Sequence, residues 1–103
     1  MTTEVEIIHE PERDRFTITV GGSEAGFARY QEQSGEIAFV HTETDPAQQG
    51  RGLASRLIAH ALQDARRRDL TVLPYCSFVR DYIAAHREYV ELVPEARRPR
   101  FGL

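Results

Sequence analysis

The chain has 103 residues, 41% of them apolar and 28% charged, the make-up of a single globular domain rather than a disordered segment. Thirteen Lys+Arg against sixteen Asp+Glu leave a net charge of −3, without the basic excess of a dedicated nucleic-acid binder. One cysteine excludes an internal disulfide, and no apolar run approaches the ~18 residues of a membrane span.

Met1–Glu10 has no long apolar stretch, so no signal peptide is expected and the expected address is cytoplasmic. Val5, Ile7 and His9 alternate with Glu6, Ile8 and Glu10 as in a strand. Phe16, Ile18 and Val20 alternate with Arg15, Thr17 and Thr19, the period of a half-buried strand. Gly21-Gly22-Ser23 predicts a tight turn into a third strand over Ala25–Gln31. Ser34-Gly35 predicts the next turn and Glu36–Glu43 the fourth strand. The period then changes. Leu53, Leu57, Ile58, Ala61, Leu62 and Ala65 recur at steps that place one apolar stripe on a helix from about Gly52 to Arg68. Arg66, Arg67 and Arg68 suit the negative end of that helix. Thr71–Tyr75 is the fifth strand candidate, with Pro74 at its end or on an edge. Ser77 is the expected N-cap of a shorter helix through His86. His9 reads as a strand end and His60 as a solvated helix position. Pro94–Leu103 reads as an irregular, solvated tail. The expected fold is α+β, a mostly antiparallel sheet of about five strands with two helices, in the order β-β-β-β-α-β-α. Residues 1–93 form the expected domain and residues 94–103 the tail.

The most informative stretch is Asp45–Ser55, between the fourth strand and the long helix. Gly50 and Gly52 carry no side chain, so an anion can approach the peptide N–H groups closely. The first helical turn adds free donors and a partial positive charge, and Arg51 adds a full one. A phosphate or pyrophosphate fits such a site, although a glycine pair ahead of a helix also serves simply as a turn. A P-loop is excluded, because the chain contains no lysine. Gly50-x-Gly52-x-x-Ser55 also misses the third glycine or alanine of a dinucleotide fingerprint.

Gln49-Gly50-Arg51-Gly52-Leu53-Ala54 matches Gln/Arg-x-x-Gly-x-Gly/Ala, the acetyl-CoA signature of the GNAT N-acetyltransferase superfamily. With its flanks, His41-Thr42-Glu43 before and Pro74-Tyr75-Cys76-Ser77-Phe78 after, the chain resembles the short, stand-alone GNAT-like family with a YjdJ-type acetyltransferase domain. The resemblance covers about residues 5 to 93. It implies a GNAT fold reduced to its cofactor-binding part, with acetyl-CoA as cofactor and CoA as product. Pantetheine would run beside the backbone of Phe39, Val40, His41 and Thr42. The pyrophosphate would sit on Gln49, Gly50, Arg51, Gly52, Leu53, Ala54 and Ser55. The N-terminal helices that build much of the acceptor site in full-length GNAT enzymes have no counterpart here, so the acceptor is not specified.

Acetyl transfer to an amine needs a neutral amine, a polarised thioester carbonyl and a proton for the departing thiolate. An alternative route acetylates an enzyme nucleophile first. Cys76, at the end of the fifth strand, is the one sulfur nucleophile, and the resemblance places it near the thioester. It reads equally as a small buried residue. The pleat puts His41 on the face of Ile37 and Phe39 and Glu43 on that same face, as base or packing. Tyr82 and His86 share one face of the second helix, each a candidate proton donor or packing residue. The family tyrosine donor falls nearer His86 than Tyr82, so it does not carry over cleanly. No spacing suits a metal.

These readings predict an acetyl-CoA-dependent N-acetyltransferase with an amine acceptor, with no nucleic-acid or membrane partner, as a monomer or small homo-oligomer. The alternatives are a non-catalytic CoA-binding module and a protein-interaction adaptor that presents Arg97-Arg98-Pro99-Arg100 to an acidic partner.

Overall fold

The computed structural model describes residues 4–103. Met1, Thr2 and Thr3, part of the segment whose sequence argues against a signal peptide, lie outside the described residues. β1 (Val5–Glu10), β2 (Arg15–Val20), β3 (Ser23–Gln33) and β4 (Glu36–Thr44) form an antiparallel meander. Helix α1 (Leu53–Arg67) then carries the chain back, so that β5 (Thr71–Pro74) pairs with β4 in parallel. A parallel pair needs such a crossover. Helix α2 (Ser77–Ala85) follows, and short 3₁₀ segments over Arg87–Leu92 and Glu95–Phe101 complete the fold. The strands lie in chain order in one five-stranded sheet, which is the α+β architecture expected.

The apolar stripe of α1 decides where the core lies. Leu53, Leu57, Ile58, Ala61, Leu62 and Ala65 are all buried, packed over β2, β3 and β4. They meet Phe16, Ile18, Ala28, Tyr30, Ile37 and Phe39 from the sheet, with Val79 and Ile83 from α2. Each fully buried aliphatic side chain of this kind contributes about 1.5–3 kcal/mol. Among the described residues, no helix is long and apolar enough to cross a membrane.

Four local expectations change. The N-cap of α2 is Cys76, not Ser77, with extended angles (φ −67°, ψ 128°). The Cys76 N–H donates to the Phe39 carbonyl at 2.8 Å, and its own carbonyl accepts from the Arg80 N–H at 3.0 Å, which starts the helix one residue earlier. Arg15 and Thr17, on the face read as solvated, are buried. The Arg15 guanidinium lies 4.7 Å from the centre of the Phe27 ring and pairs with Glu10 and Glu24, so polar groups cover this face where no helix does. The tail is exposed along most of its length but is anchored at one residue. Phe101 is buried edge-on to Tyr75 at 5.4 Å, and Arg98 Nε donates to the Val93 carbonyl at 3.0 Å. His60, read as solvated, is half-buried where it borders the Phe16 ring, while His9 stands at the end of β1 as expected.

His9 stacks on Phe16 at 4.2 Å, and its Nε2 lies 2.5 Å from the Tyr30 hydroxyl. The imidazole and the phenol share one hydrogen bond there. Burial holds the His9 pKa below its ordinary 6.5. Asp64 and Glu32 oppose that shift, while Arg68 and His60 reinforce it. The unfolded chain therefore binds the proton more tightly. Stability is full above about pH 6.5 and falls as pH drops through the folded pKa. The urea midpoint should fall between pH 7.5 and 5.5, and by less in His9→Asn. Equal losses in both proteins would remove His9 as the cause.

Candidate active site between β4 and β5

The site originates in one extra residue. Tyr30 pairs with Phe39, but Arg29 pairs with His41, so Val40 is an insertion in the β3–β4 ladder. Such a bulge bends its strand and increases the twist. β4 pairs with β5 only from Glu36↔Thr71 to Phe39↔Pro74. Beyond Phe39, the edge of β4 turned towards β5 has no strand beside it, and a cleft opens.

The bulge also reverses the expected faces. Phe39 pairs with Tyr30 and Thr42 with Ala28, and Tyr30 and Ala28 both belong to the core. Thr42 therefore continues the face of Ile37 and Phe39. His41 and Glu43, opposite Arg29 and Phe27, turn to the other face. His41 lies 6.0 Å from the Phe27 ring and 3.4 Å from the Glu43 carboxylate, both of its neighbours being on that face. The expectation that His41 and Glu43 share the face of Ile37 and Phe39 is thus corrected. A straight pleat predicts it, and the inserted Val40 breaks the pleat.

The cleft has a volume of about 390 Å³. Thr42 and Thr44 line it from β4, and Gln48, Gln49, Gly50, Gly52, Leu53, Ala54 and Ser55 from the turn and the start of α1. Phe78 closes it from α2. The turn is built locally. Asp45 accepts from the Ala47 N–H at 3.0 Å and sets a 3₁₀ turn over Pro46–Gln48. Gly50 and Gly52 follow with φ +84° and +72°, angles that residues with a Cβ resist. A Cβ at either would meet no protein atom within 4 Å, so the backbone there borders open space. The N–H groups of Leu53, Ala54 and Ser55 lie in the first turn of α1, where no intrahelical acceptor exists. A helix start that is open on this side, with partial positive charge, suits the pyrophosphate of a CoA ester. Arg51 does not line the cleft; its Nη1 donates to Gln48 Oε1 at 2.5 Å.

Seven residues singled out from the sequence meet at the cleft: Thr42, Gln49, Gly50, Gly52, Leu53, Ala54 and Ser55. Phe39 is buried beneath it, and Val40 is exposed at the bulge. Thr44, Gln48 and Phe78 also line the cleft, and sequence reasoning does not single them out. Thr44 follows Thr42 by the strand period and is legible in principle. Phe78 carries the weaker signal of a large apolar residue beside a helix start.

Cys76 is half-buried, with its Sγ 3.4 Å from Thr42 Oγ1. The pair sits where β4 and β5 part. Tyr82 lies one turn beyond Phe78 on the same flank of α2 and stacks on His86 at 3.9 Å. Burial raises the Tyr82 pKa, with Tyr89 and Glu88 adding to the shift, so the phenol keeps its proton at neutral pH. His86 Nδ1 lies 2.9 Å from the Tyr82 carbonyl. A carbonyl only accepts, so Nδ1–H is the donor of that bond. Among the described residues no group of three or more His, Cys, Asp and Glu is arranged to hold a metal ion.

The model of one family, described as GCN5-related N-acetyl-transferase, matches residues 15–92. No curated protein matches the chain. The matched span runs from the start of β2 through the cleft and α2.

Proposed function

We propose that this chain, which belongs to the GCN5-related N-acetyltransferase family, transfers an acetyl group from acetyl-CoA to an amine. The observation that carries the reading is the cleft itself. An unpaired strand edge beyond Phe39 leads to a glycine-opened helix start, which suits an extended chain ending in a pyrophosphate. Acetyl-CoA would supply the acetyl group as a thioester. Thr42 and Thr44 would flank its pantetheine, and the turn from Gln49 to Ser55 would hold its phosphates.

Transfer forms an N–C bond as the C–S bond breaks. The amine gives up a proton and the CoA thiolate takes one. Cys76 and Thr42 are the donors at the end of the cleft where the strands part, and Tyr82 follows along α2. The partner of Cys76 is a hydroxyl and not a base. The N-terminus of α2 favours a thiolate at its N-cap Cys76, but among the described residues no base adjoins the thiol to complete its activation, and His41 lies on the opposite face of the sheet. This favours direct transfer over an acetylated Cys76.

Three measurements test the reading. Acetyl-CoA and CoA should raise the melting temperature while ATP and NAD should not. At one hundred times its Kd, a ligand adds about 2.7 kcal/mol, roughly 10 °C or more for a domain of this size. Absence of a shift at millimolar acetyl-CoA would remove the acetyltransferase reading. Mass spectrometry of the protein incubated with acetyl-CoA alone should show no acetyl adduct on Cys76. Cys76→Ala should keep acetyl-CoA binding and lose about a hundredfold in turnover with an amine. An adduct that an added amine discharges would replace direct transfer with the covalent route.

A further inference from the structure

The sheet face turned away from α1 carries a groove of about 420 Å³. Ala38 and Leu73, partners across the β4–β5 ladder, form its floor. Gln31 and Gln33 flank it on β3, Glu36 lies at one end and Tyr75 at the other. The Tyr75 end is next to Cys76, where β4 and β5 part, and exposed Val40 stands there on β4. The groove therefore runs along the strands towards the slot where β4 and β5 part. Glu36 and Val40 are about 13 Å apart at the rise of a strand.

The chain's own tail touches both ends. Phe101 packs edge-on against Tyr75 at 5.4 Å, and an Arg97 nitrogen lies 4.0 Å from the Glu36 carboxylate. A cation thus already meets Glu36, in an exposed and long pair of the kind that contributes little and is readily displaced.

We propose that the groove binds an elongated aliphatic diamine or polyamine. Its far ammonium replaces Arg97 at Glu36, its methylenes lie on Ala38, Leu73 and Tyr75, and its near amine reaches the slot. The role of the near amine as acetyl acceptor rests on the acetyltransferase reading; binding in the groove does not. The apolar floor suits a methylene chain, the carboxylate suits one positive charge, and the carboxamides of Gln31 and Gln33 can accept from the same ammonium. The spacing selects a long molecule over a short one.

The test is a titration of the full chain, followed through backbone amide signals, with diaminooctane, diaminobutane and octylamine. Diaminooctane should shift the signals of Gln31, Ala38 and Leu73 and bind several-fold more tightly than the other two. Glu36→Gln should weaken diaminooctane about threefold and leave octylamine unchanged, while Arg97→Ala should tighten diaminooctane by a similar factor. Equal binding of octylamine, no effect of Glu36→Gln, or shifts confined to Thr42–Ser55 would each overturn the proposal. So would tighter binding of a lysine-rich peptide at the same residues, which would point to a protein acceptor. Melting the same samples with acetyl-CoA separates the two readings. Diamine binding without acetyl-CoA stabilisation removes the enzyme and keeps the groove; the reverse removes the groove alone.

Discussion

Gly52→Ala should cut acetyl-CoA affinity by at least tenfold, whereas Gly102→Ala should leave it unchanged. The two glycines have the same φ of +72°. Gly52 precedes α1 at ψ 15°, and Gly102 ends the last 3₁₀ segment at ψ 26°. A Cβ at either meets no protein atom within 4 Å. Both substitutions therefore carry the same backbone strain, about 1–2 kcal/mol for a left-handed residue with a Cβ. Each should lower the melting temperature by roughly 4–8 °C per kcal/mol. Only the Cβ at Gly52 enters the cleft, where phosphate oxygens would approach the N–H groups of α1. Gly52→Val, larger and β-branched, should push the loss towards a hundredfold, about 2.7 kcal/mol. Calorimetric titration with CoA reads all three. Equal affinity losses at Gly52 and Gly102 would show that strain alone weakens binding and would remove the turn as the phosphate seat.

The parts legible in the sequence are those with a period or a glycine signal. The stripe from Leu53 to Ala65 sets α1 to within one residue at each end. Gly50 and Gly52 mark the anion-suited turn by residue type alone, because open backbone at a helix start follows from the missing side chain. The strand period fails at Val40. Nothing in Ile37-Ala38-Phe39-Val40-His41-Thr42 announces an inserted residue, because a bulge is defined by the partner strand and not by the bulged one. A straight alternation therefore places His41 and Glu43 on the face of Ile37 and Phe39, the face that Thr42 in fact continues. The tail misleads for a related reason. Its arginines and prolines read as solvated, but one aromatic, Phe101, finds Tyr75 and orders the segment. Tertiary contact, absent from local composition, decides both cases.

Deletion of Val40 should leave a folded protein that no longer binds acetyl-CoA. Phe39 and His41 already face consecutive residues of β3, Tyr30 and Arg29. Removing Val40 joins these pairs into an uninterrupted antiparallel ladder. Side chains keep their faces, with Thr42 still opposite Ala28 and His41 still opposite Arg29. Val40 is exposed and lies outside the core, so the deletion forfeits little buried surface. Its stability cost should stay near 1 kcal/mol, the usual centre for single changes. What the deletion removes is the local bend and added twist of β4. Without them β4 runs straight past Phe39 alongside β5 and the start of α2. The space between Thr42 and the Gln49–Ser55 turn then narrows, and the distance from the turn to the Cys76–Thr42 pair changes. Affinity for acetyl-CoA should fall by about a hundredfold while far-ultraviolet circular dichroism stays unchanged. A folded deletion protein with undiminished affinity would show that the cleft does not depend on the bulge, and the origin of the site would lie in the glycine turn alone.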